Sequence, residues 1–214
     1  MSSFGGPHRH VLITKNKHSS KVGCDPAAQL TSIRATMLLT ELPAIDDVLS
    51  AHRSVLGRDF TPYRNHVYRV TNLCARLAQA DEMMREKIAI AAVFHDLGIW
   101  TDGTFDYIEP SVKLANAYLP AVGHSDWVAE IAMMIREHHK ITQYQTVECP
   151  FVEPFRRADW IDVTLGVRSF GVPRSFVRQL YSVWPDEGFH WRLVQFAITR
   201  LRSHPLTPLP MVKW

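Results

Sequence analysis

Apolar residues recur at intervals of three and four along most of this chain, which is the spacing of one face of an α-helix. From about residue 43 onward, Gly and Pro separate these stretches, and no stretch alternates apolar and polar residues for long enough to indicate a β-strand. The pattern predicts an all-α fold, a single helical bundle, with helices at residues 45–56, 63–79, 82–98, 110–119, 126–138, 152–165, 173–183 and 190–203.

The first 36 residues lack this periodicity and are rich in Gly, Ser, Pro, His and Lys. They carry five Lys and Arg against one Asp, whereas the rest of the chain carries 19 basic against 20 acidic residues. We therefore expect a flexible basic tail at residues 1–36, a helical domain at residues 37–204 and a Pro-rich C-terminal strap at residues 205–214. Two alternatives remain open for the tail: an organelle transit segment, or an extension upstream of a true start at Met37.

The composition is that of a globular protein, with 46% apolar and 21% charged residues in a chain of 214. The longest apolar run, residues 88–94, is far shorter than the roughly 18 residues of a membrane helix, and the N-terminus lacks the apolar centre of a secretory signal. Three cysteines without a CxxC pair argue against a disulfide framework and a thiolate zinc site. These features predict a cytoplasmic protein with neither membrane nor nucleic acid as a partner, since the excess positive charge lies in the tail. They leave the oligomeric state open.

The segment KIAIAAVFHDLGIW is the most informative for chemistry. Its seven consecutive apolar residues predict a helix that is buried nearly all round and that places His95 and Asp96 at its end. An unpaired carboxylate in such a place is costly, so Asp96 must either shift its pKa or be compensated by a cation. From this dipeptide alone, an ordinary buried ion pair or a helix-end interaction remains open as well.

Two further polar residues interrupt apolar helix faces. His66 heads a stripe of apolar residues at offsets of four, seven and eleven, and Asp159 has apolar residues four positions to either side. With His95 and Asp96, they place two imidazoles and two carboxylates on the inward faces of three helices. This mixed nitrogen and oxygen set suits Zn, Mn, Fe, Co or Ni, with coordination positions left for water and substrate.

The ordered pattern of His66, then His95–Asp96 twenty-nine residues later, then Asp159 in an ADxxD stretch resembles the HD-domain superfamily of metal-dependent phosphohydrolases. The resemblance covers about residues 45–166. It implies helices packed around a divalent metal ion, with His66, His95, Asp96 and Asp159 as the metal ligands. It also implies hydrolysis of a phosphate ester through a metal-activated water, and we expect a small phosphorylated metabolite or nucleotide as the substrate.

Glu109, in the stretch EPSVKLANAYL, occupies the position where many two-metal members of that superfamily have a histidine. Pro110 predicts that Glu109 lies near a helix N-terminus, where a carboxylate stays ionised and can orient a metal-bound water or hold a weak second cation. We therefore expect one tightly held metal per chain, with Asp96 and Glu109 as the catalytic carboxylates. For His138 and His139, a substrate pocket, a second metal site and a helix C-terminal cap all remain open.

A phosphate substrate also requires fixed positive charge, and Arg64 and Lys113 are the predicted substrate-binding cations. Two other kinds of enzyme share the resemblance, namely di-iron oxygenases and zinc hydratases of small nitriles. An oxygenase requires ligands for two irons, whereas a hydratase predicts an apolar pocket with little positive charge. A degenerate HD module that only binds a ligand is disfavoured, because all four ligand positions are present.

Overall fold

Helices account for nearly all regular structure in the computed structural model, which describes residues 38–207 and 209–213. The predicted tail at residues 1–36 therefore lies outside the described residues. Within those ranges no β-strand forms, and a single bridge joins Lys140 to Lys213. Eight helices of nine residues or more are present there: α1 (Pro43–Ala51), α2 (Phe60–Ala78), α3 (Glu82–Phe94), α4 (Ile108–Ala121), α5 (Val128–Glu137), α6 (Val152–Val163), α7 (Arg174–Val183) and α8 (Phe189–Ser203).

The all-α prediction is confirmed, and each predicted helix has a counterpart. The first predicted helix is divided, since α1 ends at Ala51 and a separate turn, Arg53–Leu56, follows it. The third ends earlier than predicted, at Phe94, and a separate short helix starts at Gly98. None of the helices in the described ranges is long and apolar enough to cross a membrane.

The core is organised around α2, which packs against α3 and α6, while α4 packs against α5. Every residue from Ile88 to Phe94 is buried, as the apolar run predicted. Asp81 caps the start of this helix, because its carboxylate accepts a hydrogen bond of 2.9 Å from the Met84 amide. The buried end of α3 thus delivers its last residues to the interior of the bundle.

Gly98 allows the start of α4 to approach the turn that follows α3. A Cβ atom at this position would lie only 2.6 Å from the carbonyl oxygen of Tyr107. The Gly98 amide donates a 3.0 Å hydrogen bond to the hydroxyl of Ser111. This close contact holds Tyr107 beside the His95–Asp96 turn.

The last described residues pack against the segment after α5 and the start of α4. The amide of Ile141 donates to the carbonyl of Lys213 at 2.8 Å. Met211 is buried with Ile99 and Tyr107. This part of the predicted strap therefore covers the region where α4 begins.

Candidate metal centre

Six ionisable side chains from four helices meet inside the bundle. They lie on α2, at the end of α3, after the end of α5 and on α6: His66, His95, Asp96, His138, His139 and Asp159. The side chain of His139 is 16% exposed, and none of the other five exceeds 4%. Groups of this kind are stable in such a place only when they are paired or hold a cation.

The four ligands implied by the family resemblance form one part of this cluster. The Nε2 atoms of His66 and His95 lie 3.0 Å apart. An oxygen of Asp96, Oδ2, lies 3.7 Å from the first of these nitrogens and 3.3 Å from the second. An oxygen of Asp159, Oδ1, lies 3.7 Å from each. The structure thus brings all four side chains to one point.

His138 and His139 form the other part of the cluster. They lie beside the oxygens of the same two carboxylates that do not face His66 and His95. Asp96 Oδ1 lies 3.4 Å from Nε2 of His138. Asp159 Oδ2 lies 3.5 Å from Nδ1 of His139. Each carboxylate therefore presents one oxygen to each pair of histidines.

The hydrogen bonds at Nδ1 decide which nitrogen is available as a ligand. His95 and His138 each donate from Nδ1 to a backbone carbonyl at 2.7 Å, that of Ala92 and that of Ile135. A carbonyl can only accept, so the neutral ring of each leaves an Nε2 lone pair pointing into the cluster. Nδ1 of His66 likewise donates to the carboxylate of Asp162 at 2.7 Å. Three imidazoles are therefore oriented to bind through Nε2.

These side chains fit a divalent cation. Both oxygens of Asp159, Oδ1 of Asp96 and Nε2 of His138 are buried without a hydrogen-bond partner among the described residues. Potential ligand atoms lie within 4.8 Å of one another in two groups, His66–His95–Asp96 and Asp96–His138–His139. A cation would satisfy the buried oxygens and separate the facing lone pairs, so the cluster is compatible with a metal site.

The charges of the carboxylates change the pKa values of the neighbouring histidines. Burial opposes protonation of His95, but the nearby Asp96 and Asp159 raise its pKa to about 10. Burial, with the neighbouring His138, lowers the pKa of His139 to about 3. The proximity of His95 keeps the pKa of both carboxyl groups low despite their burial. Without a metal, a proton on His95 therefore takes the place of the cation.

We expect metal affinity to rise with pH, because the metal must displace this proton. Below a pKa of about 10 the proton occupies His95, and raising the pH lowers the concentration of the competing proton. The Kd for the first metal should fall by roughly tenfold per pH unit in the neutral range, if one proton is released. Competition with a chelator at several pH values measures this slope, and a Kd that does not change with pH would contradict it.

Asp162 is a further candidate functional residue, which the sequence pattern did not mark as part of the site. Its carboxylate accepts the Nδ1–H of His66 and also two hydrogen bonds from Arg69, at 2.6 and 2.9 Å. It lies on the same helix face as Asp159, three residues later, and is the second Asp of the ADxxD stretch. The sequence signal was therefore present, but the spacing alone does not show which histidine Asp162 holds.

Tyr107 was also missed, because nothing in the sequence marks this loop tyrosine. Its hydroxyl lies 2.7 Å from Nε2 of His139. Burial, together with the charges of Asp96 and Asp159, raises the pKa of Tyr107 well above its usual value. Its phenol thus stays protonated at neutral pH and can fix the orientation of His139.

The structure does not bring the other predicted site residues to the cluster. Glu109 lies in the first turn of α4, as predicted, but its side chain is 66% exposed and accepts two hydrogen bonds of 2.8 Å from Arg136. Arg64 donates to Asp46 at 2.8 Å, and Lys113 lies on an exposed face of α4. None of these contacts involves the cluster. Arg64 and Glu109 are held by ion pairs of their own, and Lys113 faces solvent.

Comparison with models of known protein families gives a match that covers the site. The HD-domain family model matches residues 63–164, which contain all six cluster residues and Asp162. No curated protein and no solved structure matches the chain. HD domains are mostly metal-dependent hydrolases, and the buried His and Asp cluster agrees with that assignment. The match confirms, over residues 63–164, the resemblance to the HD-domain superfamily that the order of the histidines and aspartates predicted.

Proposed function

We propose that the protein is a phosphohydrolase that holds two divalent metal ions and acts on a small phosphorylated metabolite or nucleotide. One observation carries this proposal. Asp96 and Asp159 each turn one oxygen towards the pair His66 and His95 and the other towards the pair His138 and His139. Carboxylates shared in this way are suited to hold two cations side by side.

The first ion would be held by His66, His95, Asp96 and Asp159. The second would be held by His138 and His139 with the other oxygens of the two carboxylates. Divalent ions in these positions would supply positive charge to phosphoryl oxygens and would acidify a water molecule. Their identity, Zn, Mn, Fe, Co or Ni, is left open by a donor set of imidazole and carboxylate.

The protein side chains would orient the reactants. Both oxygens of Asp96 face the histidine pairs that would hold the ions, so we assign this carboxylate to position the attacking water between them. The acidified water would release its proton to solvent. His139 is the most exposed member of the cluster, so the substrate would approach from its side. For Nδ1 of His139 to bind a metal, its Nε2 must carry the proton and donate to the Tyr107 oxygen. Tyr107 would thus fix the orientation of His139, and coordination at Nδ1 would set its tautomer.

A second candidate, chemistry on a small substrate without phosphate, is favoured by the pairing of the cations around the cluster. Arg69 is bound to Asp162, Arg136 to Glu109 and Arg156 to Glu153. Within residues 38–207 and 209–213, these pairs leave the metal ions as the main positive charge that a phosphate would meet. The hydratase alternative predicts a site of this kind, with few cationic side chains. The group Asp96–His138–His139 also supplies the additional ligands that a di-iron oxygenase would require.

Metal analysis followed by a substrate screen tests the proposal. The metal content of the purified chain is measured first, and the metal-free protein is then reloaded with Zn²⁺, Mn²⁺, Fe²⁺, Co²⁺ or Ni²⁺. Each form is incubated with nucleotides, sugar phosphates and, as neutral substrates, small nitriles. We expect phosphate release that depends on the metal and is lost in Asp96→Asn.

Three results would contradict the phosphohydrolase proposal. A chain without affinity for any of these ions would remove its basis. Turnover of nitriles without release of phosphate would favour the hydratase. Oxygen consumption by the iron form, with an EPR signal from a di-iron centre, would favour the oxygenase.

A further inference from the structure

The corner between α7 and α8, residues 181–189, lies directly behind His66 and outside the range matched by the HD-domain model. The hydroxyl of Tyr181 donates to Asp162 Oδ1 at 2.9 Å. The ring of Phe189 stacks on the imidazole of His66, with 4.1 Å between centroids and 18° between planes. This corner therefore touches both the first ligand and the carboxylate that holds it.

Arg69 ties the same corner to Asp162. It is completely buried and donates to both oxygens of Asp162. Its remaining hydrogen bonds go to the carbonyls of Trp184, at 3.0 Å, and Pro185, at 3.1 Å. Because a guanidinium is planar and donates in fixed directions, these four contacts fix Asp162 relative to the corner.

We propose that the α7–α8 corner is a positioning clamp for the metal ligand His66. Tyr181 and Arg69 hold Asp162, Asp162 holds Nδ1 of His66, and Phe189 holds the plane of the imidazole. Nε2 is thereby aimed at Nε2 of His95 and at the two carboxylates. This inference rests on the proposed metal centre and extends it to a part of the chain that follows the HD domain.

The clamp acts on one ligand group only. His95 and His138 are held at Nδ1 by carbonyls of their own helices, three residues earlier. His66 is instead held by a carboxylate from another helix, which makes its imidazole more basic than a carbonyl would. Loss of the clamp should therefore weaken the group that contains His66 and leave the group of His138 and His139 largely intact.

Tyr181→Phe is the sharpest test, with Tyr68→Phe as a matched control. Tyr181→Phe removes the hydrogen bond to Asp162 but keeps the ring that lies 4.6 Å from the Arg69 guanidinium. Tyr68 also donates to a carboxylate, that of Asp46 at 2.7 Å, and its hydroxyl accepts from the Leu42 amide, so neither hydroxyl partner belongs to the cluster or to the corner. Phenylalanine keeps the ring that stacks on Trp184. Asp162→Asn serves as the second variant, because it keeps the shape of the side chain and removes its charge.

Two quantities are measured on the full chain, with Zn²⁺ alone as the probe: the Kd for each bound ion, and Tm with and without Zn²⁺. We expect Tyr181→Phe to weaken the tighter Zn²⁺ site by roughly tenfold and Asp162→Asn by up to about 100-fold, as is typical for partners of metal ligands. Tyr68→Phe should leave both Kd values unchanged. Both tyrosine variants should lower Tm of the metal-free protein, but only Tyr181→Phe should reduce the gain in Tm on adding Zn²⁺.

Equal Zn²⁺ affinities in wild type, Tyr181→Phe and Asp162→Asn would overturn the clamp and leave the metal centre intact. A loss of metal-free Tm in Tyr181→Phe with an unchanged gain from Zn²⁺ would also overturn it, since that result describes a structural role alone. A wild-type chain that binds none of Zn²⁺, Mn²⁺, Fe²⁺, Co²⁺ and Ni²⁺ would overturn both proposals together.

Discussion

Alanine at His95 or at Asp159 is expected to remove the tightly bound metal and the metal-dependent part of the thermal stability together. Both side chains lie at the point where the first ligand group converges, and both are almost completely buried. A ligand that binds only the folded state, present at 100 times its Kd, adds about 2.7 kcal/mol to the free energy of unfolding. For a chain of this size, that corresponds to a gain of roughly 5–10 °C in Tm.

Metal content by mass spectrometry and Tm with and without a chelator measure this effect. The wild type should lose the gain in Tm when the chelator is added, whereas in the two variants the chelator should change Tm much less, because the tighter site is gone. His204→Ala is the control, because His204 is an exposed histidine at the end of α8 that bonds to Ser203. Metal retained at full stoichiometry in His95→Ala or Asp159→Ala would show that these side chains are not ligands.

Much of the fold could be predicted from the sequence because most helix-forming signals are local. The run from Ile88 to Phe94 predicted both a helix and its burial, and the structure shows both. The inward direction of His66 followed from the apolar stripe on its own helix, and the side chain is fully buried. The end of α3 was less predictable, because the close contact of Gly98 with Tyr107 depends on a segment nine residues away.

The periodicity of apolar residues could not predict which side chains of different helices form hydrogen bonds with one another. Asp162 is visible in the sequence as a carboxylate one turn after Asp159, but its pairing with His66 and Arg69 spans more than 90 residues. The contact of Tyr107 with His139 joins a loop to the end of α5. Such contacts are fixed by how the helices pack against one another, and single-sequence patterns contain little information about that packing.

Glu109 shows how a correct local prediction can lead to a different functional expectation. The residue does lie in the first turn of a helix, where a carboxylate is favoured. In the structure, however, Arg136 on α5 binds both of its oxygens and lowers its pKa. The carboxylate is thus committed to an exposed ion pair, and the histidines that follow Arg136 on the chain take the place beside Asp96.

His139→Ala is therefore expected to lower metal content from two ions per chain to one and to reduce hydrolytic activity by about 100-fold or more, equivalent to roughly 2.7 kcal/mol of transition-state stabilisation. The reason is that Nδ1 of His139 lies beside Asp159 Oδ2 on the exposed side of the cluster, where the two atoms would hold the second ion together. Glu109→Gln should keep both ions and remain within about twofold of wild-type activity, since exposed ion pairs contribute only about 0–1 kcal/mol. The two variants are compared by metal stoichiometry and by kcat and KM on the same substrate. One tightly held ion in the wild type, together with a large loss of activity in Glu109→Gln, would reverse this assignment and restore Glu109 as the catalytic carboxylate.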